Sequence, residues 1–166
     1  MGAHIAVLLN PHSGKGRGRA VADAAADHLR ASGASVREYA GSSPAETRML
    51  AAQALAEEPQ ALVIVGGDGT LSGILDIVVA AEVPVVLVPA GTGNDFARAL
   101  KLPRHSPADA AELALTGIER AVDVGEIHSG GRSSLFLTVT ALGFDARVSD
   151  RTNRLGWPRG GARYYL

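Results

Sequence analysis

Three short stretches of this sequence are built from residues that handle phosphate: Asn10-Pro11-His12-Ser13-Gly14-Lys15-Gly16-Arg17-Gly18, Gly66-Gly67-Asp68-Gly69-Thr70 and Pro89-Ala90-Gly91-Thr92-Gly93-Asn94-Asp95. Glycine lets backbone N–H groups come close to a ligand, and helix starts attract anions, so phosphate is the natural occupant of such turns. Asp68 and Asp95 complicate this. An acid in an anion-binding turn repels a bare phosphate, and a bridging Mg²⁺ would remove the conflict. The plain alternative is that both aspartates cap helices, the commoner role of Asp at that position. The first turn contains Gly14-Lys15 but is no Walker A loop, because Leu9 and Gly16 stand where that motif needs Gly and Ser/Thr. Taken alone it reads equally well as an ordinary strand-to-helix connection. The histidines offer no pair at metal-ligand spacing, which removes a zinc site from consideration; His12 is at most a neighbour of phosphate, and His4, His28 and His105 read as structural or exposed.

The elements around these turns alternate. Residues 4–10 form a continuous apolar run, the pattern of a strand covered on both faces. A helix is expected from Val21 to a stop at Gly33, then a strand over 34–40. Ser43-Pro44-Ala45-Glu46 supplies a cap, a first-turn proline and an acid, so a helix should run towards Pro59. Ala61–Val65 reads as a strand and 70–81 as one helix. Residues 83–89 read as a strand and 94–100 as a short helix, and Ser106 to Gly117 bound a last helix. Each of the three turns therefore follows a strand and precedes a helix. In a parallel sheet with right-handed crossovers all such turns lie at one edge, so three separate stretches converge on one cleft.

Near residue 121 the pattern changes to two strand-like runs around Gly130-Gly131, which is antiparallel hairpin chemistry. The expected organisation is an α/β domain over 1–120 with a parallel sheet, followed over 121–166 by the beginning of a β-rich second domain. The 45 or so residues after 121 are too few for a closed sandwich of roughly 100 residues. Such a hairpin must pack on the first domain, pair with another copy in a homo-oligomer, or belong to a larger unit.

With 46% hydrophobic residues among 166, the chain can bury a core. A net charge of -1 argues against a nucleic-acid partner, and the lack of cysteine excludes disulfides and thiolate metal sites. No secretory leader is recognisable and no apolar stretch has the length of a membrane span, so a cytoplasmic protein is expected. One segment has the composition that would suit a peripheral membrane surface: Arg147, Arg151, Arg154, Arg159 and Arg163 stand against Asp150 alone, beside Trp157, Tyr164 and Tyr165. The competing reading is that these side chains pack within the second domain.

Asn10-Pro11-His12-Ser13-Gly14, Gly66-Gly67-Asp68-Gly69-Thr70 and Gly91-Thr92-Gly93-Asn94-Asp95-Phe96, in this order and spacing, resemble the successive signatures of the diacylglycerol kinase catalytic domain, the family of bacterial lipid kinases, sphingosine kinases and ceramide kinases. Asp123-Val124-Gly125 and Gly143-Phe144-Asp145-Ala146 are similar to its later motifs. The resemblance implies an ATP- and Mg²⁺-dependent kinase acting on a lipid alcohol, diacylglycerol-like or sphingoid, with the acceptor between an α/β domain and a β-sandwich. It implies a nucleotide site of Asn10, Ser13, Gly14, Lys15, Gly66, Gly67, Asp68, Gly69, Thr70, Gly91, Thr92, Gly93 and Asn94. Asp68 would be the catalytic residue, acting through nucleotide and metal positioning and not as a nucleophile; Asp95 and Asp123 would join it around the metal. Lys15 and Arg17 would stabilise phosphate charge or remain solvated.

Two departures stand out. Ser72 and Gly73 occupy positions where many bacterial members carry Asn or His and then Glu, and no Asp-Gly-Glu-type motif, the family's source of a general base, follows residue 126. A non-catalytic nucleotide-binding module is therefore the main alternative, and an NAD kinase, with a similar Gly-Gly-Asp-Gly turn, a more distant one.

Overall fold

The computed structural model describes residues 3–11, 13–91, 93–103 and 106–138. Four strands, β1 (Ile5–Leu9), β2 (Val36–Ala40), β3 (Ala61–Gly66) and β4 (Val85–Pro89), form a wholly parallel sheet in the order β2-β1-β3-β4. Alternate side chains of the central strands enter separate cores. Ile5, Val7, Leu9, Val63 and Val65 pack on one face, and Ala6, Leu8, Leu62 and Ile64 on the other. This explains why β1 and β3 read as unbroken apolar runs: both faces are covered.

The first core is closed by α2 (Gly18–Ala31) and α7 (Pro107–Thr116), through Ala22, Ala25, Leu29, Ala110 and Ala111. The second is closed by α3 (Pro44–Ala56) with α4 (Asp68–Ser72), α5 (Leu75–Ala81) and α6 (Asp95–Ala99). Alanine dominates the helix side of the first interface and is shared with larger apolar residues in the second; Ala22, Ala25, Ala26, Ala51, Ala54, Ala97, Ala110 and Ala111 are fully buried. Small side chains let the helices settle close to the sheet. His28 Nε2 also meets Glu112 Oε2 at 2.7 Å, tying α2 to α7.

The helix boundaries follow local chemistry. Ser43 and Ser106 each accept an amide from three residues on, Glu46 and Asp109, and each is followed by proline at the first helical position. At the end of α2, Gly33 N–H donates to Arg30 and Ala34 N–H to Leu29, a Schellman closure around a glycine at φ +89°. Gly117 ends α7 differently, in an extended conformation. Two expectations need correction. The helix expected from Val21 begins at Gly18, after a one-turn α1 (Ser13–Gly16). The single helix expected over 70–81 is two, α4 and α5, broken at Gly73 and Ile74 because Ile74, almost fully buried, turns inward between them.

Beyond an exposed stretch at 117–123, β5 (Gly125–Ser129) and β6 (Arg132–Phe136) make the antiparallel hairpin, with Gly130 and Gly131 both at positive φ in its turn. Leu137 packs against the second core, so the hairpin is anchored on the α/β unit. The motif at 143–146 and the basic, aromatic segment 147–166 lie outside the described residues, as do His12, Thr92 and His105.

Leu62 is fully buried in the second core. Leu62→Ala should lower unfolding stability by about 2–5 kcal/mol, read as a lower urea midpoint at unchanged denaturant slope.

Candidate functional site

The chain leaves β1 for a helix on one face of the sheet and leaves β3 for helices on the other. The carboxyl ends of β1 and β3 are therefore a topological switch point, where the two connections diverge and leave a crevice. The backbone bridges its floor, Asn10 N–H donating to Val65 carbonyl at 3.4 Å. Above it lies a cleft of about 720 Å³, within the range of small-molecule sites.

The first turn contributes Asn10, Ser13 and Gly14 to this cleft. Asn10 carbonyl accepts from Ser13 N–H at 3.0 Å, starting α1. Gly14 sits at φ +59°, and a Cβ there would lie 2.1 Å from Ala90 carbonyl oxygen. Only glycine lets the first turn rest on the end of β4. Arg17 Nε donates to Gly14 carbonyl at 3.2 Å, so in this structure it closes its own turn. Lys15 belongs to α1, and its side chain lies outside what is described.

The second and third turns are pressed together. A Cβ on Gly91 would lie 2.8 Å from both Gly67 Cα and Asn94 Oδ1. Asn94, in the left-handed region at φ 55°, donates from Nδ2 to Gly91 carbonyl at 2.9 Å, while its Oδ1 is buried without a hydrogen-bond partner among the described residues. Gly67, Asp68, Gly69, Thr70, Gly91 and Gly93 line the cleft; Gly66 ends β3 beneath them, packed on the Thr70 side chain.

Asp68 does more than the glycines around it suggest. Its Oδ2 accepts from Asp95 N–H at 2.9 Å and its Oδ1 from Phe96 N–H at 3.1 Å. It caps a helix, but α6 and not its own. One carboxylate thus binds the second turn to the third across 27 residues of sequence.

The expected metal set is only partly assembled. A Cβ on Gly93 would stand 3.4 Å from Asp68 Oδ2 and 3.9 Å from Asp95 Oδ2, so these two carboxylates flank one glycine. Asp95, well exposed, is paired with Arg98. Asp123 lies on the exposed stretch before β5, does not line the cleft, and is not gathered with them; among the described residues no group of three or more His, Asp or Glu side chains could by itself hold an ion. Each Asp68 oxygen still has a lone pair after accepting one amide, which suits a cation held jointly with phosphate oxygens.

The sequence reading missed one wall. Pro44, Ala45, Thr47 and Arg48 of α3, with Gly73 and Ile74, complete the cleft. The signal was available: β2 is parallel to its neighbours, so the turn after it must reach the same edge. Arg48 forks onto Asp76, Nη1 to Oδ1 and Nη2 to Oδ2 both at 2.6 Å, while Nη1 also donates to Gly73 carbonyl at 3.1 Å. The Arg48 hydrogen bonds are the chief reason that the Asp76 carboxyl is held down to about 2.

The diacylglycerol kinase catalytic domain model matches residues 4–127. The chain belongs to this family. It is 39% identical over 163 residues to a diacylglycerol kinase of Mycobacterium tuberculosis, a match covering 98% of this chain and 53% of that protein. It is 40% identical over 122 residues to a Pseudomonas fluorescens protein named "Probable lipid kinase YegS-like", covering 72% of this chain and 39% of the other. The chain therefore spans about half the length, or less, of these curated relatives. The crystal structure of a diacylglycerol kinase from Bacillus anthracis shares the fold, with a TM-score of 0.64 at 23% identity over 78% of this chain and 47% of that one. Among the described residues no helix is long and apolar enough to cross a membrane.

Asp68→Asn replaces one amide-accepting oxygen by an NH₂ that faces another donor. The expected result is a loss of roughly 1–3 kcal/mol of local stability, seen as faster hydrogen exchange at the Asp95 and Phe96 amides with β1 and β3 protection retained.

Proposed function

We propose that this chain carries the donor half of an ATP-dependent lipid kinase, and that the 720 Å³ cleft receives the nucleotide's phosphates. The observation that carries this reading is the convergence of the Asn10, Gly67 and Gly91 turns at the sheet's switch point, in a chain of the diacylglycerol kinase family. On this reading residues 1–120 are the nucleotide-binding domain and 121–166 the beginning of the acceptor domain. The acceptor is a lipid alcohol, diacylglycerol-like or sphingoid, met at a membrane surface.

Phosphoryl transfer needs alignment and charge neutralisation more than covalent chemistry. The acceptor oxygen forms a bond to the γ-phosphorus as the bond to the β–γ bridging oxygen breaks, ADP departs with that oxygen and its electron pair, and the hydroxyl proton passes to solvent water. In this chain Gly67, Gly69, Gly91 and Gly93 let phosphate oxygens reach the backbone, and Ser13 and Thr70 offer hydroxyls. Asp68 fixes the second turn relative to the third. Both its oxygens are engaged by α6, which suits a positioning carboxylate and not a nucleophile. Asp68 and Asp95, which flank Gly93, are the residues that would hold Mg²⁺, and the ion would supply neutralisation of phosphate charge. Family membership supports the lipid kinase reading over the NAD kinase one.

Calorimetry with ATP and Mg²⁺, with NAD as the control, tests the donor side. Saturable binding of ATP but not NAD is expected, together with its loss in Gly91→Ala, whose Cβ would displace Gly67 and Asn94; circular dichroism of the variant checks that the sheet persists. Equal ATP affinity in parent and variant refutes the cleft as the site. Radiolabelled γ-phosphate offered with diacylglycerol or a sphingoid base in mixed micelles then reads the acceptor; ATP binding without transfer to either would favour a nucleotide-binding module.

A further inference from the structure

We propose that Arg48 and Asp76 are positioning residues of the cleft: a brace that fixes the α3 wall against the α4 wall and so holds the Asp68–Thr70 turn in register with the ligand. The proposal rests on the cleft being a nucleotide site.

Arg48 projects from α3, whose first turn forms one side of the cleft, and its guanidinium reaches both Asp76 on α5 and the carbonyl of Gly73, where α4 ends. The α4 helix needs such support. It has five residues and no side-chain cap, and a helix that short is not stable alone. It carries Asp68 at one end and is held by Arg48 at the other. The fork therefore connects the two walls through the helix that bears the turn.

Solvent exposure narrows what the pair is for. Arg48 and Asp76 are 46% and 56% exposed, and an exposed ion pair adds little to global stability. A bidentate fork that also captures a carbonyl nevertheless specifies distance and angle closely. Location points the same way. Arg48 and Gly73 also line a second cavity of about 450 Å³, shared with Ser133 and Leu135 of the hairpin, so the brace stands where the two cavities meet.

Arg48→Met and Asp76→Asn separate positioning from stability. Each should weaken ATP binding at least about fivefold, measured with Mg²⁺ by calorimetry, while the thermal midpoint stays near that of the parent. The double variant should be no weaker than either single one, because both remove the same contact. Arg48→Lys should recover part of the loss. In the free chain, hydrogen exchange at the Gly73 and Ile74 amides, which donate to Gly69 and Leu71 carbonyls, should quicken in both single variants. Unchanged exchange overturns the brace. Additive affinity losses also overturn it, since they would mean that Arg48 meets the ligand by itself. If the unaltered chain fails to bind ATP, the nucleotide reading falls and the exchange measurement alone decides whether the brace exists.

Discussion

The site is held together by one carboxylate accepting two backbone amides from a distant turn. Asp68 begins α4 and caps α6, so the position of the third turn is set by a residue of the second. That bond is available only because Gly67 and Gly91 allow the two backbones to approach to a separation that a single Cβ on either would disturb. The glycines and the aspartate are parts of one arrangement: the first make the approach sterically open, the second makes it favourable. The first turn joins them through Gly14, seated on Ala90 at the end of β4. All three depend on the parallel sheet, which brings every strand's carboxyl end to one edge, and on the change of helix side between β1 and β3, which opens the crevice there.

What was legible in the sequence was mostly local or periodic. The runs at 5–9 and 61–66 are strands buried on both faces, Ser43 and Ser106 are caps, and Gly33 closes α2. Each is decided by residues within a few positions of itself. The diacylglycerol kinase resemblance is supported because its motifs fix a spacing as well as a composition. The features that escaped depend on partners far along the chain. Residues 70–81 have the composition of one helix, yet Ile74 goes into the core and Arg48, more than twenty residues earlier, takes the Gly73 carbonyl. The choice between cap and ligand for Asp68 was open because a capping aspartate is normally judged against its own helix. Here it serves another. The α3 wall was missed although the topology required a fourth turn at the same edge.

The departure from the family pattern at Ser72 and Gly73 acquires a physical setting. Gly73, where many bacterial members carry an acid, is the point at which α4 stops and the chain bends towards α5, and the nearby charge is supplied by the Arg48–Asp76 fork. The hairpin of β5 and β6 follows the α/β unit, and Leu137 joins its end to the second core, so the surface facing the 450 Å³ cavity comes from both parts of the chain. The 720 Å³ cleft, in contrast, is lined by described residues that run only from 10 to 93.

The alanine-lined helix faces constrain how this sequence can diverge. Among the described residues seven fully buried helix alanines sit in the cores between helices and sheet, and each is already the smallest side chain that still favours a helix. Truncation there has almost nothing to remove, whereas any enlargement pushes a helix off the sheet, at a cost of typically about 1–3 kcal/mol. Because the first and third turns lead into α2 and α6, which carry such alanines, a methyl group added there would be transmitted to the geometry of the cleft. Drift in this scaffold is thus one-sided: the strands can exchange valine, isoleucine and leucine among themselves, while the helix faces are close to a floor in side-chain volume.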